Sequence, residues 1–179
     1  MGRLNEWDAT HTKVRVGEKK APQGIFQTCD GGLIVLKKHW YPRLMALAQH
    51  IASWSKDPST QCGAIIVNPY GTVVSTGYNG FPRGISDTPE RYADRGYKLD
   101  HTIHAEINAV ISARCSVAGH TLFVWPMLPC VRCATVLIQS DIAEVVSVAP
   151  SGELAERWGP SIAKSKALFA EAGVIVTEI

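Results

Sequence analysis

Apolar residues form two kinds of pattern in the first half of the chain, a helical period and two short continuous runs, and each predicts a different kind of element. Apolar residues from Leu44 to Trp54 follow the spacing of a buried helical face, and Pro42 stands where a helix begins, so a first helix is predicted. The apolar and partly β-branched runs 63–68 and 72–79 flank a short turn. This pattern predicts a β-hairpin.

The second half of the chain alternates strand and helix patterns after a stretch, 80–100, that is rich in glycine, proline and charge and predicts a loop. Three further strands are predicted, at 121–125, 144–149 and 173–177. Three helices are predicted around them, at 105–113, 129–138 and 163–172. A strand pair followed by alternating helices and strands predicts an α/β fold with a mixed five-stranded sheet sandwiched by helices.

The composition indicates one domain and a small-molecule substrate. The chain has 179 residues, of which 46% are hydrophobic, enough for a single core. Its net charge of +2 comes without a long cationic run, so no nucleic-acid track is expected. No apolar run is long enough to span a bilayer, and the first six residues lack the hydrophobic core of a secretion signal. We therefore expect a cytoplasmic protein that does not bind membranes.

The five cysteines do not suggest a disulfide framework, because their number is odd and two of them stand in a Cys-x-x-Cys pair. Cys29, Cys62 and Cys115 are expected to be free thiols packed as small hydrophobes. Residues 1–38 are polar and irregular, and we treat them as an extension of unknown role before a domain at 39–179. The run 33–36 is either one strand of a short hairpin or a segment that docks on a neighbouring subunit.

The chemistry of the chain is concentrated in two short motifs. His104 is followed two residues later by Glu106, and Cys130 and Cys133 come about two dozen residues farther on. This spacing matches the zinc deaminase signature, in which one histidine and two cysteines hold a catalytic zinc and leave its fourth position to water. Zinc lowers the pKa of that water, and Glu106 is then the proton carrier to the ring nitrogen and the departing amino group.

The two motifs are predicted to begin helices, whose N-termini favour thiolate over thiol at the metal. In the first helix Ile107, Val110 and Ile111 have the spacing of a buried stripe. A Cys-x-x-Cys pair alone also suits a redox pair or half of a structural zinc site. A structural site, however, needs a fourth protein ligand and has no use for the glutamate, so a catalytic zinc is predicted.

Beyond the metal motifs, the chain from about Trp40 onwards resembles the deoxycytidylate (dCMP) deaminases of the cytidine deaminase superfamily. The segments that carry the likeness are 55–64, 77–84 with the following Ser86-Asp87, and 101–108. The resemblance implies a three-layer α/β/α cytidine-deaminase-like fold. It also implies zinc-dependent hydrolysis of dCMP to dUMP and ammonia, which supplies thymidylate synthesis, and a homo-oligomer that is usually a hexamer.

The same resemblance suggests roles for residues outside the metal motifs. Asn79 would bind the sugar, and the backbone around Ala64 would read the pyrimidine edge. In some members the loop at 56–58 and the loop at 77–80 also hold a triphosphate effector such as dCTP or dTTP. Candidate effector or phosphate ligands are Lys56, Asp57, Gly80 and Arg83. As alternatives, the charged residues are solvated loop positions and Asn79 is a turn residue without a ligand.

One departure from the family pattern lies beside the predicted base pocket. After the strand valine the family usually has three residues before Pro129, whereas this chain has four, beginning with Trp125. Trp125 is therefore a candidate substrate residue that reshapes the space around position five of the ring, and methylated deoxycytidylates are an alternative substrate. Alternatively, Trp125 and Met127 belong to the core or to a subunit interface.

Two further functions compete with dCMP deamination. A nucleic-acid or tRNA adenosine deaminase would share the metal chemistry, but the near-neutral charge and the loop at 77–84 favour a free nucleotide. A non-enzymatic zinc-stabilised binding module is the alternative of another class, and the presence of Glu106 speaks against it.

Overall fold

The structure is a computed structural model that describes residues 35–179. Cys29 and most of the run 33–36 lie outside the described residues, so the hairpin and docking alternatives stay open. The boundary between 38 and 39 also stays a prediction. Leu36 is nevertheless buried among core residues, so the core includes part of the predicted extension.

The predicted mixed five-stranded sheet is confirmed. Its spatial order is β2-β1-β3-β4-β5, with β1 antiparallel to both neighbours and β3, β4 and β5 parallel. The strands are β1 (Gly63–Val67), β2 (Val73–Tyr78), β3 (Thr121–Trp125), β4 (Glu144–Ser147) and β5 (Ile175–Glu178).

Helices cover both faces of the sheet, as the three-layer prediction required. The α-helices in the described part of the chain are α1 (Tyr41–Ala52), α2 (Pro89–Ala93), α3 (Arg95–His101), α4 (Ala105–Ala113), α5 (Val131–Gln139) and α6 (Gly152–Ala172). A 3₁₀ turn at Lys38–Trp40 precedes α1. Ile65 and Val67 of β1 belong to the core beneath α1, whereas Ala64 and Ile66 belong to the core shared with α4, α5 and α6. Successive side chains of β1 point to opposite faces of the sheet, so this strand contributes to a separate core on each face.

Two glycines allow helices to approach the sheet closely. A Cβ at Gly63 would lie 2.2 Å from the carbonyl oxygen of Ala48 in α1, and a Cβ at Gly77 would lie 2.3 Å from that of Ala105 in α4. The predicted buried stripe of α4 is only partly confirmed, since Val110 is partly buried against the core but Ile111 is not, and the second contact explains the difference. The helix buries Ala105, Glu106 and Ala109 against the strand, and Ile111 is 58% exposed. Small side chains permit this spacing, whereas isoleucines would hold the helix away.

Two helices were missed in the stretch 80–100, which was predicted as a loop. Pro89 stands in the first turn of α2, and the Asp94 side chain accepts a hydrogen bond from the backbone N–H of Tyr97 and so caps α3. These are the usual signals of a helix start, but the helices have only five and seven residues. Such short segments do not show a clear apolar period.

The boundaries of two other helices differ from those predicted. Helix α6 begins at Gly152 and continues through Pro160, whereas the sequence predicted a start at 163. Helix α1 ends at Ala52, so Trp54 lies beyond it, half exposed and in edge contact with the rings of His50 and Tyr78. No helix among residues 35–179 is long and apolar enough to cross a membrane.

Candidate active site

The two predicted motifs meet at the N-termini of α4 and α5. His104 is the N-cap residue of α4, Cys130 is the N-cap residue of α5, and Cys133 lies in the first turn of α5. The Nδ1 atom of His104 is 3.5 Å from Sγ of Cys130 and 3.3 Å from Sγ of Cys133. Both helix dipoles therefore direct their positive ends at one cluster of three ligand atoms.

This donor set fits zinc. Tetrahedral zinc with Zn–N of about 2.0 Å and Zn–S of about 2.3 Å separates a nitrogen and a sulfur ligand by roughly 3.6 Å, close to the two measured distances. A zinc site needs at least three histidine, cysteine or acidic side chains close together, and among residues 35–179 this arrangement is found at His104, Cys130 and Cys133. With three protein ligands, a tetrahedral ion keeps one position open, as catalytic zinc sites do.

Hydrogen bonds within the cluster favour the thiolate form of one of the two cysteines. The pKa of Cys130 is lowered to about 4, mainly because Cys133 donates a hydrogen bond to it and secondarily because His104 does. The same interaction raises the pKa of Cys133, and the hydrogen bond to Cys130 raises that of His104. Metal binding at this cluster would displace the remaining thiol proton, since thiolate is the ligand form.

Glu106 lies two residues beyond the histidine, in the first turn of α4, and is buried. Burial raises the pKa of its carboxyl group, because the charged form loses hydration. The side chain lines a cavity of about 220 Å³ whose wall also contains His104 and Cys130. The carboxyl group of Glu106 therefore faces the same space as His104 and Cys130.

The cavity also receives two of the three predicted substrate residues. Asn79 and Trp125 line it, whereas Ala64 is fully buried in β1 and is not part of the lining. Met127 and Cys62 line it as well. Burial raises the pKa of the Cys62 thiol, which therefore stays protonated and apolar. Cys115 is exposed, so its predicted packing as a buried hydrophobe was wrong.

Asn79 uses its side-chain amide to organise the loop before β1. Its Oδ1 accepts a hydrogen bond from the backbone N–H of Cys62 at 2.7 Å, and its Nδ2 donates to the carbonyl of Thr60 at 2.9 Å and to Asp57 at 3.4 Å. Asp57 in turn accepts from the backbone N–H of Ser59 at 2.8 Å. These contacts give Asn79 and Asp57 a structural role at the cavity wall.

The other predicted effector residues lie outside the cavity lining. Lys56 is exposed and forms a salt bridge of 2.9 Å with Asp87, and Arg83 is exposed. Gly80 is buried and exchanges two backbone hydrogen bonds with Ile103, the residue before the metal ligand His104. Gly80 therefore ties the loop after β2 to the start of α4.

Sequence reasoning missed a group of cavity residues on α3 and α6. The positions from α3 have the spacing i, i+3, i+4 and i+7, which places them on one helical face; that signal was available once a helix was recognised. Trp158 from α6 stands edge-on to the His104 ring at 6.2 Å, and its buried indole N–H has no partner among the described residues. The missed residues are Arg95, Lys98, Leu99, Thr102, Arg157 and Trp158.

Comparison with known structures agrees with this architecture. The crystal structure of a dCMP deaminase from the cyanophage S-TIM5, in complex with dCMP and dUMP, superposes with a TM-score of 0.64 at 22% identity. The match covers 80% of this chain and 99% of that one. At this identity the likeness concerns the fold, which together with the histidine, glutamate and cysteine motifs defines the cytidine-deaminase-like class.

Sequence comparison narrows the class to a family. The model of the cytidine and deoxycytidylate deaminase zinc-binding region matches residues 38–149. An uncharacterized deaminase from the luxG 3' region of Aliivibrio fischeri is 39% identical over 138 residues, which cover 77% of this chain and 92% of that protein. The deoxycytidylate deaminase of Mus musculus is 40% identical over 115 residues, covering 60% of this chain and 63% of the mouse protein. The chain belongs to the cytidine and deoxycytidylate deaminase family.

Proposed function

We propose that the protein catalyses the zinc-dependent hydrolysis of dCMP to dUMP and ammonia. The observation that carries the proposal is the cluster of His104, Cys130 and Cys133, of which His104 and Cys130 line one cavity together with the buried Glu106. The resemblance to proteins named deoxycytidylate deaminases, at about 40% identity, supports the choice of cytosine and of a deoxynucleotide. The metal ligands alone do not select the base, since several deaminases share them.

The chain's own residues would act by holding the metal and moving protons. His104, Cys130 and Cys133 would bind zinc, which supplies Lewis acidity that makes a water molecule nucleophilic at neutral pH. Glu106 would take a proton from the attacking water, deliver it to the ring nitrogen beside the attacked carbon, and then protonate the departing amino group. Its raised pKa suits a group that must accept and release a proton near neutrality.

A second candidate substrate is a deoxycytidylate substituted at position five, such as 5-methyl-dCMP. The lining of the cavity by Trp125 and Met127, in the segment that is one residue longer than usual, favours a test of this alternative. Equal kinetic constants for dCMP and 5-methyl-dCMP would remove the support for altered handling of the ring substituent.

The experiment that tests the function is ammonia release by the zinc-loaded protein from dCMP, CMP, deoxycytidine, 5-methyl-dCMP, adenosine nucleotides and tRNA. Preference for dCMP supports the proposal, and activity confined to another base or to tRNA overturns the substrate assignment. Removal of zinc with a chelator should abolish activity, and zinc addition should restore it. A protein that binds zinc but deaminates nothing would instead be a non-enzymatic module.

Regulation and assembly belong to the same proposal. We propose a homo-oligomer, a hexamer by resemblance, whose dUMP supplies thymidylate synthesis and whose activity responds to dCTP or dTTP. Lys56, Asp57, Gly80 and Arg83 are the residues assigned to the effector, and the exposure of Lys56 and Arg83 outside the cavity lining is compatible with a second anion site. Adding each triphosphate to the dCMP assay tests this, and an unchanged rate would contradict it.

A further inference from the structure

Three cationic side chains converge on the cavity wall from two elements that are far apart in sequence. Arg95 and Lys98 come from α3, and Arg157 comes from α6. The residues assigned to phosphate from the sequence, Lys56 and Arg83, are not among them. The tertiary structure therefore offers a different set of cations to the substrate.

Contacts with one loop show that two of these cations are close neighbours. A guanidinium nitrogen of Arg157, Nη2, donates to the Thr60 hydroxyl at 2.6 Å. The ammonium group of Lys98 donates to the hydroxyl of Ser59 at 2.9 Å. Since Ser59 and Thr60 are consecutive, the loop brings a lysine and an arginine together with two hydroxyl groups at the cavity wall. Hydroxyl groups and cations are the usual partners of a bound phosphate.

The charges on this side of the cavity are only partly neutralised. Lys98 pairs with Asp57 at 3.1 Å, and both side chains are largely buried. Neither Arg95 nor Arg157 forms a salt bridge with a carboxylate in the part of the chain that the structure describes. Both arginines are exposed residues that line the cavity, and neither guanidinium group is neutralised there by a carboxylate of the described residues. Such groups favour an anionic ligand, and their planar forks match the oxygens of a phosphate.

We propose that Arg157, together with Arg95 and Lys98, binds the phosphate monoester of the substrate and makes the enzyme select nucleotides over nucleosides. This inference rests on the proposed function, since it assigns a specificity role within the same cavity. The hydrogen bond from Arg157 to Thr60 holds the guanidinium group at the wall before a ligand arrives. Such preorganisation lowers the entropic cost of binding.

The kinetic test compares Arg157→Gln with Lys164→Gln, a change of an exposed cation on the same helix outside the cavity lining. Losing a hydrogen bond to a charged group should reduce kcat/KM for dCMP by about 10- to 100-fold. The kcat/KM for deoxycytidine should change by less than about 3-fold, since the lost contact involves only the phosphate. Arg157→Lys should recover part of the loss, because it restores the charge without the fork.

Equal losses for dCMP and deoxycytidine in Arg157→Gln would overturn the inference, because they would indicate damage to the fold or to the metal site. So would an unchanged dCMP rate, or the same loss in Lys164→Gln. The same kinetic assay is repeated with a single-stranded DNA oligonucleotide as the substrate. If it were deaminated as well as dCMP and equally impaired by Arg157→Gln, the residue would read a phosphodiester instead.

A binding test separates this inference from the proposed function. Deoxyribose 5-phosphate and deoxyribose are titrated into the wild-type protein and Arg157→Gln, and binding is followed by NMR. The wild type should bind deoxyribose 5-phosphate at least about 10-fold more tightly than Arg157→Gln does. The two proteins should bind deoxyribose with the same affinity. Equal binding by both proteins overturns the phosphate assignment, whichever base the enzyme deaminates. A protein inactive on dCMP that shows the difference would refute only the proposed function.

Discussion

Helices α4 and α3 both border the cavity, but different kinds of contact hold them there. Helix α4 lies against β2 through Gly77, where helix and strand backbones touch. Helix α3 is held by side chains, including the Lys98 contacts with Asp57 and Ser59. The candidate metal ligand His104 is thus positioned by a backbone contact of its helix, whereas Lys98 of α3 is positioned by polar side chains, and substitutions can change the two kinds of contact separately.

Aromatic stacking adds to the side-chain anchoring of α3. The Tyr97 ring, which stacks on His101 within α3 at 3.9 Å, meets Phe81 from the loop after β2 edge-on at 5.6 Å, and this second contact joins the helix to that loop. Phe81 also stacks on Tyr92 of α2 at 4.5 Å. Ring contacts of this kind contribute about 1 kcal/mol each beyond burial. The comparison indicates that the proposed metal site lies on a helix held by a backbone contact, whereas the proposed phosphate site lies on a helix held by side-chain contacts.

The largest expected effect concerns the fixed side of this comparison. Glu106→Gln should reduce kcat for dCMP by about 10²- to 10⁴-fold, the usual contribution of a general acid–base group. Zinc content by metal analysis and the melting temperature should not fall, because the backbone contact of α4 is unchanged. Substantial activity in the variant would contradict the proposed role of Glu106. Loss of zinc would show that metal binding also requires the Glu106 carboxylate.

Gly77→Ala should break the backbone contact itself. The added Cβ would meet the Ala105 carbonyl and the Ala109 nitrogen at 2.3 Å, so urea unfolding should show a loss of about 3 kcal/mol. Gly159→Ala is the matched control, since nothing lies within 4 Å of its Cβ inside α6. It should gain up to about 1 kcal/mol from helix propensity. Equal stability of the two variants would show that the close approach is not required.

Lys98→Met tests the side-chain anchoring of α3. The change leaves the largely buried Asp57 carboxylate without its ion pair, and unfolding should show a loss of about 2 kcal/mol. Zinc content should not change, because no metal ligand contacts Lys98. If Lys98→Met lost zinc as well as stability, the α3 side and the α4 side of the cavity would not be independent.

The smallest effect is expected for Lys56→Met, which removes a second lysine–aspartate pair of similar length. Here the two side chains are 66% and 31% exposed, so solvent screens the interaction and the free energy of unfolding should change by less than about 0.5 kcal/mol. A loss as large as that of Lys98→Met would show that burial does not explain the difference between the two pairs.

Local sequence patterns were sufficient to predict an element or a site wherever the pattern was long or chemically specific. The five strands and the cluster of one histidine and two cysteines were predicted because short apolar runs and ligand spacing are both local properties of the chain. Predictions failed where partners came from elsewhere. The buried face of α4 depends on Gly77 of another strand, and the boundaries of α6 depend on packing against α5 that overrides an internal Pro160.

The sequence by itself determined the five strands in their order along the chain and the histidine and cysteines that form one cluster, since these follow from apolar runs and from residue spacing over a few positions. Only the tertiary structure decided which cations face the cavity. Lys56 and Arg83 stand beside the right motifs in sequence, yet Arg95, Lys98 and Arg157 line the wall. The reason is physical: side-chain direction depends on how α3 and α6 pack, and that packing is set by contacts between residues as far apart as Thr60 and Arg157.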